Sequence, residues 1–309
     1  MVDLDLRRLR LLRDLAERGT LTAVAAALDY SPSAVSQQLA VLEKEVGAVL
    51  LERAGRGLRL TDAGHRLAAH AQVLLQAADA ARADLAALSA AGTGQVAGTV
   101  RAAGLQSATR RVLVPALAAV QAEHPQVRVE ISELELEQAL PELRLGGLDL
   151  LVSDEYDGHP RPRPAGLRLE QLLEEPLRLV LPAAHPCARG GGPVALAALR
   201  DQVWVASAAG TGHHGLVVGV CRSLGGYDPD LRHRSNDAGV QLQLVRTAGA
   251  VALLPTLALP DGDPTLAVRD VAGAVVSRRL ILLARDQPTA PALDAVLAAV
   301  RAQTHRLVS

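Results

Sequence analysis

Apolar residues recur at Leu6, Leu9, Leu12 and Leu15 and give way at Gly19. That spacing predicts a helix with one buried face and a glycine just past its end. Leu21, Val24, Ala25 and Leu28 predict a short second helix opened by Thr20 or Thr22, and Asp29-Tyr30 a brief turn. Ser31-Pro32 then supplies an N-cap followed by proline at the first helical position. Val35, Leu39, Leu42 and Val46 form the inner face of a third helix that stops at Gly47. Three short helices, with a tight turn between the second and third, describe a helix-turn-helix. In the next apolar stretch, LLERAGRGLRLT, glycines at 55 and 57 predict a small β-hairpin, a wing.

From Thr61 one helix is expected to continue to about Leu88. Its apolar positions, Leu67, Ala71, Leu74, Ala78, Ala81, Leu85 and Leu88, alternate steps of four and three. That is a heptad seam suited to packing along a partner helix. An amphipathic helix lying on its own domain fits the same short run. Beyond the glycine-containing AAGTGQVAG the period changes to strands alternating with helices: VRAAGL, VLVPALAAVQAEH, VRVEIS, ALPELRL and LDLLVS. A second set, LRLVLP, LAALR, VWVA, HHGLVVGVCRSL, LRHRS, DAGVQLQLVRTA and VALLP, follows the Pro-rich GHPRPRPAG. After PDGDPT come LAVRDV, RRLILLA and a terminal helix. Such alternation argues for mainly parallel α/β sheets. Crossings near 160–166 and 260–265 predict two lobes around a cleft.

Composition narrows this picture only slightly. Hydrophobic residues make up 49% and charged residues 21%, ordinary for a chain with a real core, and Phe is absent. The N-terminus lacks a signal peptide's apolar stretch, and no run approaches the roughly 20 apolar residues of a membrane span. A cytoplasmic location is the default expectation. Net charge is −1, and residues 1–66 carry ten Lys/Arg against nine Asp/Glu. A nucleic-acid role must therefore come from arrangement rather than from total charge. Cys187 and Cys221 are too few for a disulfide framework and are not spaced as a zinc site. A redox switch between them competes with a simple core role for Cys221 in LVVGVCRSL.

The third helix leaves Pro32, Ser33, Ser36 and Gln37 on its outer face near the N-terminus, with Gln38 at the edge. Recognition helices place such positions against base edges, where Gln and Ser serve as donors and acceptors. The wing adds Arg53, Arg56 and Arg59 to neutralise phosphate. A protein-interaction bundle with polar outer faces is the competing reading. In the C-terminal half, Gly210-Thr211-Gly212-His213-His214-Gly215 fits GxGxxG, and Asp237 lies about twenty residues on, as a dinucleotide site asks. Ser207-Ala208-Ala209 separates that glycine run from its strand, and no acid–base pair accompanies it. His213 and His214 project about 100° apart on a helix and make a poor chelate. No cofactor, metal or catalytic residue is expected. His185 reads as a turn residue and Trp204 as core.

The stretch from Leu9 to Gly64 resembles the DNA-binding domain of LysR-type transcriptional regulators almost position by position. The resemblance is carried by Ala25-Ala26, Ser31, Ala34-Val35-Ser36, Leu42-Glu43, Gly47, Glu52-Arg53, Leu60-Thr61 and Ala63-Gly64. Leu12 and Leu51 replace the family's usual Phe, while Pro32 and Gln37 replace its frequent Gln and Arg, removing one charge from the DNA face. Agreement continues more weakly through LVPALAAVQAEHPQV and LGGLDLLVSD. The resemblance implies a multidomain α plus α/β chain with three parts. These are a winged helix-turn-helix at 1–61, a dimerisation linker helix at 62–91, and a two-lobed effector-binding domain like a periplasmic binding protein at 92–309. Lobe I is expected at about 98–162 plus 266–309, and lobe II at about 163–265.

The same resemblance implies a non-enzymatic regulator that binds double-stranded operator DNA as a dimer, and as a tetramer built from two dimers. RNA polymerase is a further expected partner and the membrane is not. The effector would lie between the lobes. Free N–H groups at helix starts attract anions, so a small anionic metabolite is expected near Ser107, Thr109, Ser207 and Thr211. Asn236 and Asp237 line the cleft or cap the next helix. A stand-alone solute-binding protein and a dinucleotide-dependent enzyme are the alternatives for the C-terminal half.

Overall fold

The structure, a computed structural model, describes residues 4–55, 57–91, 96–161, 163 and 166–308, with the backbone alone for 83, 84 and 86–91. Helices α1 (Leu6–Arg18), α2 (Leu21–Leu28) and α3 (Pro32–Val46) are followed by the hairpin β1 (Leu51–Ala54) and β2 (Gly57–Leu60). Each helix starts on the polar side chain that its sequence supplies. Asp5, Thr20 and Ser31 accept from the backbone N–H of Arg7, Ala23 and Ala34. Gly19 and Gly47 end α1 and α3 in the left-handed region, and Asp29 (φ 58°) makes the tight turn into α3. Leu9, Leu12, Leu15, Val24, Val35, Leu39 and Leu42 close one core beneath them.

Helix α4 (Asp62–Ala91) corrects part of the seam expected above. Ala71, with Ala68 and Leu75, is buried, and Ala68 and Ala71 join the core that α1 closes. Val73 and Leu74 remain exposed. The intramolecular reading thus holds for the face that carries Ala68, Ala71 and Leu75. Leu88 lies where the backbone alone is described.

The C-terminal part comprises β3 (Ala97–Gly104), α5 (Gln106–Ala108, running through a wide turn into the next helix), α6 (Val114–Glu123) and β4 (Gln126–Glu133). It continues with α7 (Leu136–Leu145), β5 (Leu150–Tyr156), β6 (Leu167–Pro182), β7 (Val203–Ala206) and α8 (Gly212–Val220). The last elements are β8 (Asp230–Arg234), α9 (Ala238–Ala248), β9 (Val251–Pro255), β10 (Leu266–Arg269), β11 (Ser277–Arg285) and α10 (Pro291–Val308). The strand order is β4-β3-β5-β11-β6-β9-β7-β8, with β10 also on β6. Each lobe has three parallel strands, β4-β3-β5 and β8-β7-β9, while β6, β10 and β11 run antiparallel to their neighbours. The sheets are thus mixed rather than mainly parallel.

The long β6 corrects the lobe boundaries. Its first part, Leu167–Pro176, pairs with β11 in lobe I, and Leu177–Val180 pairs with β9 in lobe II. Pro176 has no N–H to donate, and the strand changes partners immediately after it. β10 pairs with the lobe II end of β6, so the return crossing falls between Arg269 and Ser277. The strands on either side of GHPRPRPAG, β5 and the first part of β6, both pair with β11 in lobe I. Helices cover both sheet faces of each lobe.

The N-terminal head also docks on lobe I. The Arg13 guanidinium donates to the Leu145 carbonyl (3.0 Å), Arg18 pairs with Glu142 (2.8 Å), and Arg144 pairs with Glu17 (2.7 Å). No helix among the described residues is long and apolar enough to cross a membrane.

Candidate nucleic-acid interface and inter-lobe cleft

On α3 the structure leaves Pro32, Ser33 and Gln37 exposed and Ser36 half-buried on one outer face. The Ser31 hydroxyl oxygen accepts from Ala34 N–H and lies 3.0 Å from Ser33 Oγ, which fixes the first turn. Gln38 sits half-buried at the edge of that face. Its side-chain carbonyl accepts from Arg8 Nε (3.1 Å), and Arg8 also pairs with Glu45, so the amide braces α3 against α1. Arg53 is exposed on β1. Arg59 pairs with Glu52 across the hairpin at 2.7 Å, which offsets its charge. Arg56 lies outside the described residues.

Several residues that carry the sequence resemblance prove to be braces for this surface. One Glu43 carboxylate oxygen accepts from the N–H groups of Leu50 (2.8 Å) and Leu51 (3.0 Å), where the chain enters the wing. Thr61 donates to the Val49 carbonyl and accepts from Gly64 N–H, capping α4 against the same segment. A Cβ at Gly64 would lie far inside contact with the Leu50 carbonyl, so only glycine lets the helix approach so closely.

The second site is the cleft between the lobes, a solvent-open depression that encloses about 60 Å³. Lobe I contributes Gln106, Ser107, Glu135, Asp154, Tyr156, Arg161 and Arg278, and lobe II Ser207, Thr211, His213, Asn236 and Gln241. At its floor Arg278 is 2% exposed. Its guanidinium reaches Glu175 (2.7 Å), Asp154 (3.1 Å) and the Ser107 hydroxyl (2.7 Å). Three strands assemble this group, since Arg278 on β11 faces Glu175 on β6 and Tyr156 on β5 in register. Arg161 at the rim pairs with Glu137 at 2.8 Å. Burial, with the adjacent Asp154 and Glu137 carboxylates, pushes the Glu135 carboxyl above the ordinary carboxylate range despite Arg161.

Of the residues expected in the cleft, Ser107, Ser207, Thr211 and Asn236 line it. Thr109 does not. Its hydroxyl donates back to the Gly104 carbonyl (2.9 Å) at the end of its own strand. Thr211 caps α8, accepting from His214 N–H and donating to the Ala208 carbonyl. Asn236 accepts from Ala208 N–H. Asp237 caps α9 through Gly239 and Val240 N–H. Its carboxyl is held below the ordinary range chiefly by the Gln106 amide, with the helix-start N–H groups also lowering it. Much of the expected anion-binding capacity is therefore spent within the chain.

The GxGxxG geometry does not suit a dinucleotide. A Cβ at Gly212 would meet Tyr156 at 3.0 Å and one at Gly215 would meet His159 at 2.5 Å, so those side chains occupy the space over the helix start. His213 is buried, its Nδ1 accepting from Ser207 N–H and its Nε2 donating to the Leu253 carbonyl. His185 accepts from Cys187 N–H in a turn, and Trp204 is core. Cys187 and Cys221 are both free thiols, and burial pushes Cys221 up to about 11.

Comparison with known proteins agrees with both halves of this geometry. Residues 6–65 match the model for the bacterial regulatory helix-turn-helix protein, lysR family, and residues 93–304 match the LysR substrate binding domain. The small neutral protease regulatory protein of Streptomyces coelicolor is 30% identical over 97% of this chain and 86% of its own length. The regulator GbpR of Azospirillum brasilense is 28% identical, covering 97% of this chain and 86% of its own. Among solved structures, a full-length OxyR variant from Pseudomonas aeruginosa superposes with a TM-score of 0.67 at 21% identity, covering 98% of this chain and 95% of that one. Full-length CbnR in complex with its target DNA gives 0.57 at 24% identity, covering 97% of this chain and all of that one. The chain belongs to the LysR family: it is a DNA-binding transcriptional regulator with an effector-binding domain.

Proposed function

We propose that α3 reads operator DNA through Pro32, Ser33, Ser36 and Gln37, with Arg53 and Arg56 of the wing on the phosphates. The exposed face of α4 around Val73 and Leu74 pairs two protomers, and two such dimers form a tetramer. The two recognition helices of a dimer then reach major grooves about one helical turn, or a multiple, apart. On promoter DNA the regulator meets RNA polymerase, and its place of work is the cytoplasm. The observation that carries this reading is the open polar face of α3 beside exposed Arg53, both braced from behind by Arg8, Glu43 and Thr61.

In the cleft, Ser107, Ser207, Thr211 and Asn236 surround a small metabolite, with Asp237 holding the start of α9 beside them. Metabolite binding shifts the relative placement of the heads by favouring one of two lobe arrangements. The anionic group expected for that metabolite has less support than the site itself, because the helix-start donors and both arginines already have partners.

Footprinting on the DNA beside the chain's own gene tests the regulator reading. Two protected half-sites, spaced by a whole number of helical turns, are expected. Uniform protection of unrelated DNA at the same concentration would count against it.

A further inference from the structure

Three features of the cleft bear on what it binds. The first is its charge. Arg278 and Arg161 are the cations of its lining, and they face Asp154, Glu175, Glu137 and Glu135. The Arg278 guanidinium is engaged by two carboxylates and a hydroxyl, and the Arg161 guanidinium reaches Glu137 and the Asp154 carbonyl. An anion entering here would oppose Glu135 and Asp154, with Arg278 held by its own carboxylates and the charge of Arg161 already offset by Glu137.

The second feature lies in lobe II. Gln241 is 2% exposed and lines the cleft. Its amide nitrogen donates to the Ser235 carbonyl at 2.6 Å, which fixes the amide's orientation because a carbonyl accepts only from the N–H side. Its oxygen Oε1 is buried and has no partner among the described residues. A buried acceptor left without a donor is costly, and a ligand N–H would satisfy it.

The third is the state of Glu135. Burial first, and then the neighbouring Asp154 and Glu137 carboxylates, raise its proton affinity. A cation placed beside it would relieve that repulsion, whereas an anion would worsen it.

We propose that the cleft recognises a small organic cation, a primary ammonium or guanidinium group whose N–H donors are taken by the Glu135 carboxylate of lobe I and the Gln241 side-chain oxygen of lobe II. The hydroxyls of Ser207 and Thr211 contact the rest of the molecule. Because its acceptors come from both lobes, such a ligand ties them together, which is how binding favours the closed arrangement. This inference rests on the reading of the cleft as the effector site.

The test is isothermal titration of the full-length protein with unbranched primary amines, diamines and guanidino compounds of two to six carbons. Mono- and dicarboxylates of matched length form the second set. At least one amine or guanidine is expected to bind saturably, while the carboxylates do not. Glu135→Gln is expected to weaken that binding about tenfold or more, as loss of a charge-assisted hydrogen bond does. Gln241→Leu, which removes the acceptor at similar volume, gives a second reading from the other lobe. Binding by carboxylates instead, binding by neither set, or an amine affinity unchanged within twofold in both variants would overturn the proposal. Operator binding measured on the same preparations separates the two levels. Retained specific DNA binding with an inert amine panel defeats only the ligand class, whereas loss of specific binding in the parent protein defeats the regulator reading.

Discussion

Gln106 and Asp237 join the two lobes across the cleft: the Gln106 amide nitrogen donates to the Asp237 carboxylate at 2.7 Å. The same side chain's oxygen accepts from Ala238 N–H at 3.0 Å. One residue at the start of α5 thus helps complete the N-terminal cap of α9, and lobe closure is written into a helix start. Gln106→Ala is expected to raise hydrogen exchange at the Ala238 amide about tenfold, in line with the loss of one hydrogen bond. Exchange measured amide by amide checks this. Unchanged protection at Ala238 would mean that the lobes do not depend on this link.

The buried Arg278 group makes a stability prediction. Removing the guanidinium leaves Asp154 and Glu175 facing each other without a cation. Arg278→Met should therefore destabilise the effector domain by about 3–5 kcal/mol, read as a lowered denaturant midpoint. A change under 1 kcal/mol would show that solvent replaces the ion pairs.

His213 makes a pH prediction. Burial holds its pKa below the ordinary 6.5, with Tyr156, Asp154, Arg278 and His214 its closest polar and titratable neighbours. Its Nδ1 accepts from Ser207 N–H, so a proton there would displace that bond. As pH falls below about 6.5 the unfolded chain takes up a proton that the folded chain refuses. Stability from this group is therefore present above 6.5 and lost on acidification, by at most about 1.4 kcal/mol per pH unit. Unfolding midpoints measured from pH 7.5 to 5 should fall more steeply in the parent than in His213→Gln. Parallel curves would refute this assignment.

The wing depends on Glu43. In Glu43→Ala the N–H groups of Leu50 and Leu51 lose their shared acceptor. The head should lose about 1.5–3 kcal/mol of stability and DNA affinity with it, because β1 carries Arg53. Glu43→Gln keeps an acceptor oxygen and should lose less. Thermal unfolding together with DNA retention reads both.

The head was largely legible in the sequence because its signals are local. Ser31-Pro32, Gly47 and the step pattern of α3 each act within one turn of helix. The cleft was less so. Ser207 and Thr211 could be placed from their helix start, but Arg278, Asp154 and Glu175 meet only because three strands distant in sequence lie side by side. Charged residues inside the apolar runs VSD and SRRLILLAR were the available hint. Thr109 lies off the cleft because a polar side chain at the right spacing can equally bond to its own fold, here to the Gly104 carbonyl. The lobe boundary moved because β6 runs on as one strand through Pro176 while exchanging β11 for β9, and pattern alone gives no sign that a strand changes sheets.

The central claim is that α3 and the wing bind operator DNA. Its most direct test is retention of the intergenic DNA beside the gene by the full-length protein across a salt series, with Ser36→Ala and Arg53→Ala alongside. Binding should be specific and weaken with salt. Arg53→Ala should lower the slope of log affinity against log salt by about 0.9, and Ser36→Ala should narrow the preference over random DNA roughly tenfold. Affinity no greater than for random DNA, or a salt slope and preference untouched by both substitutions, would contradict the account.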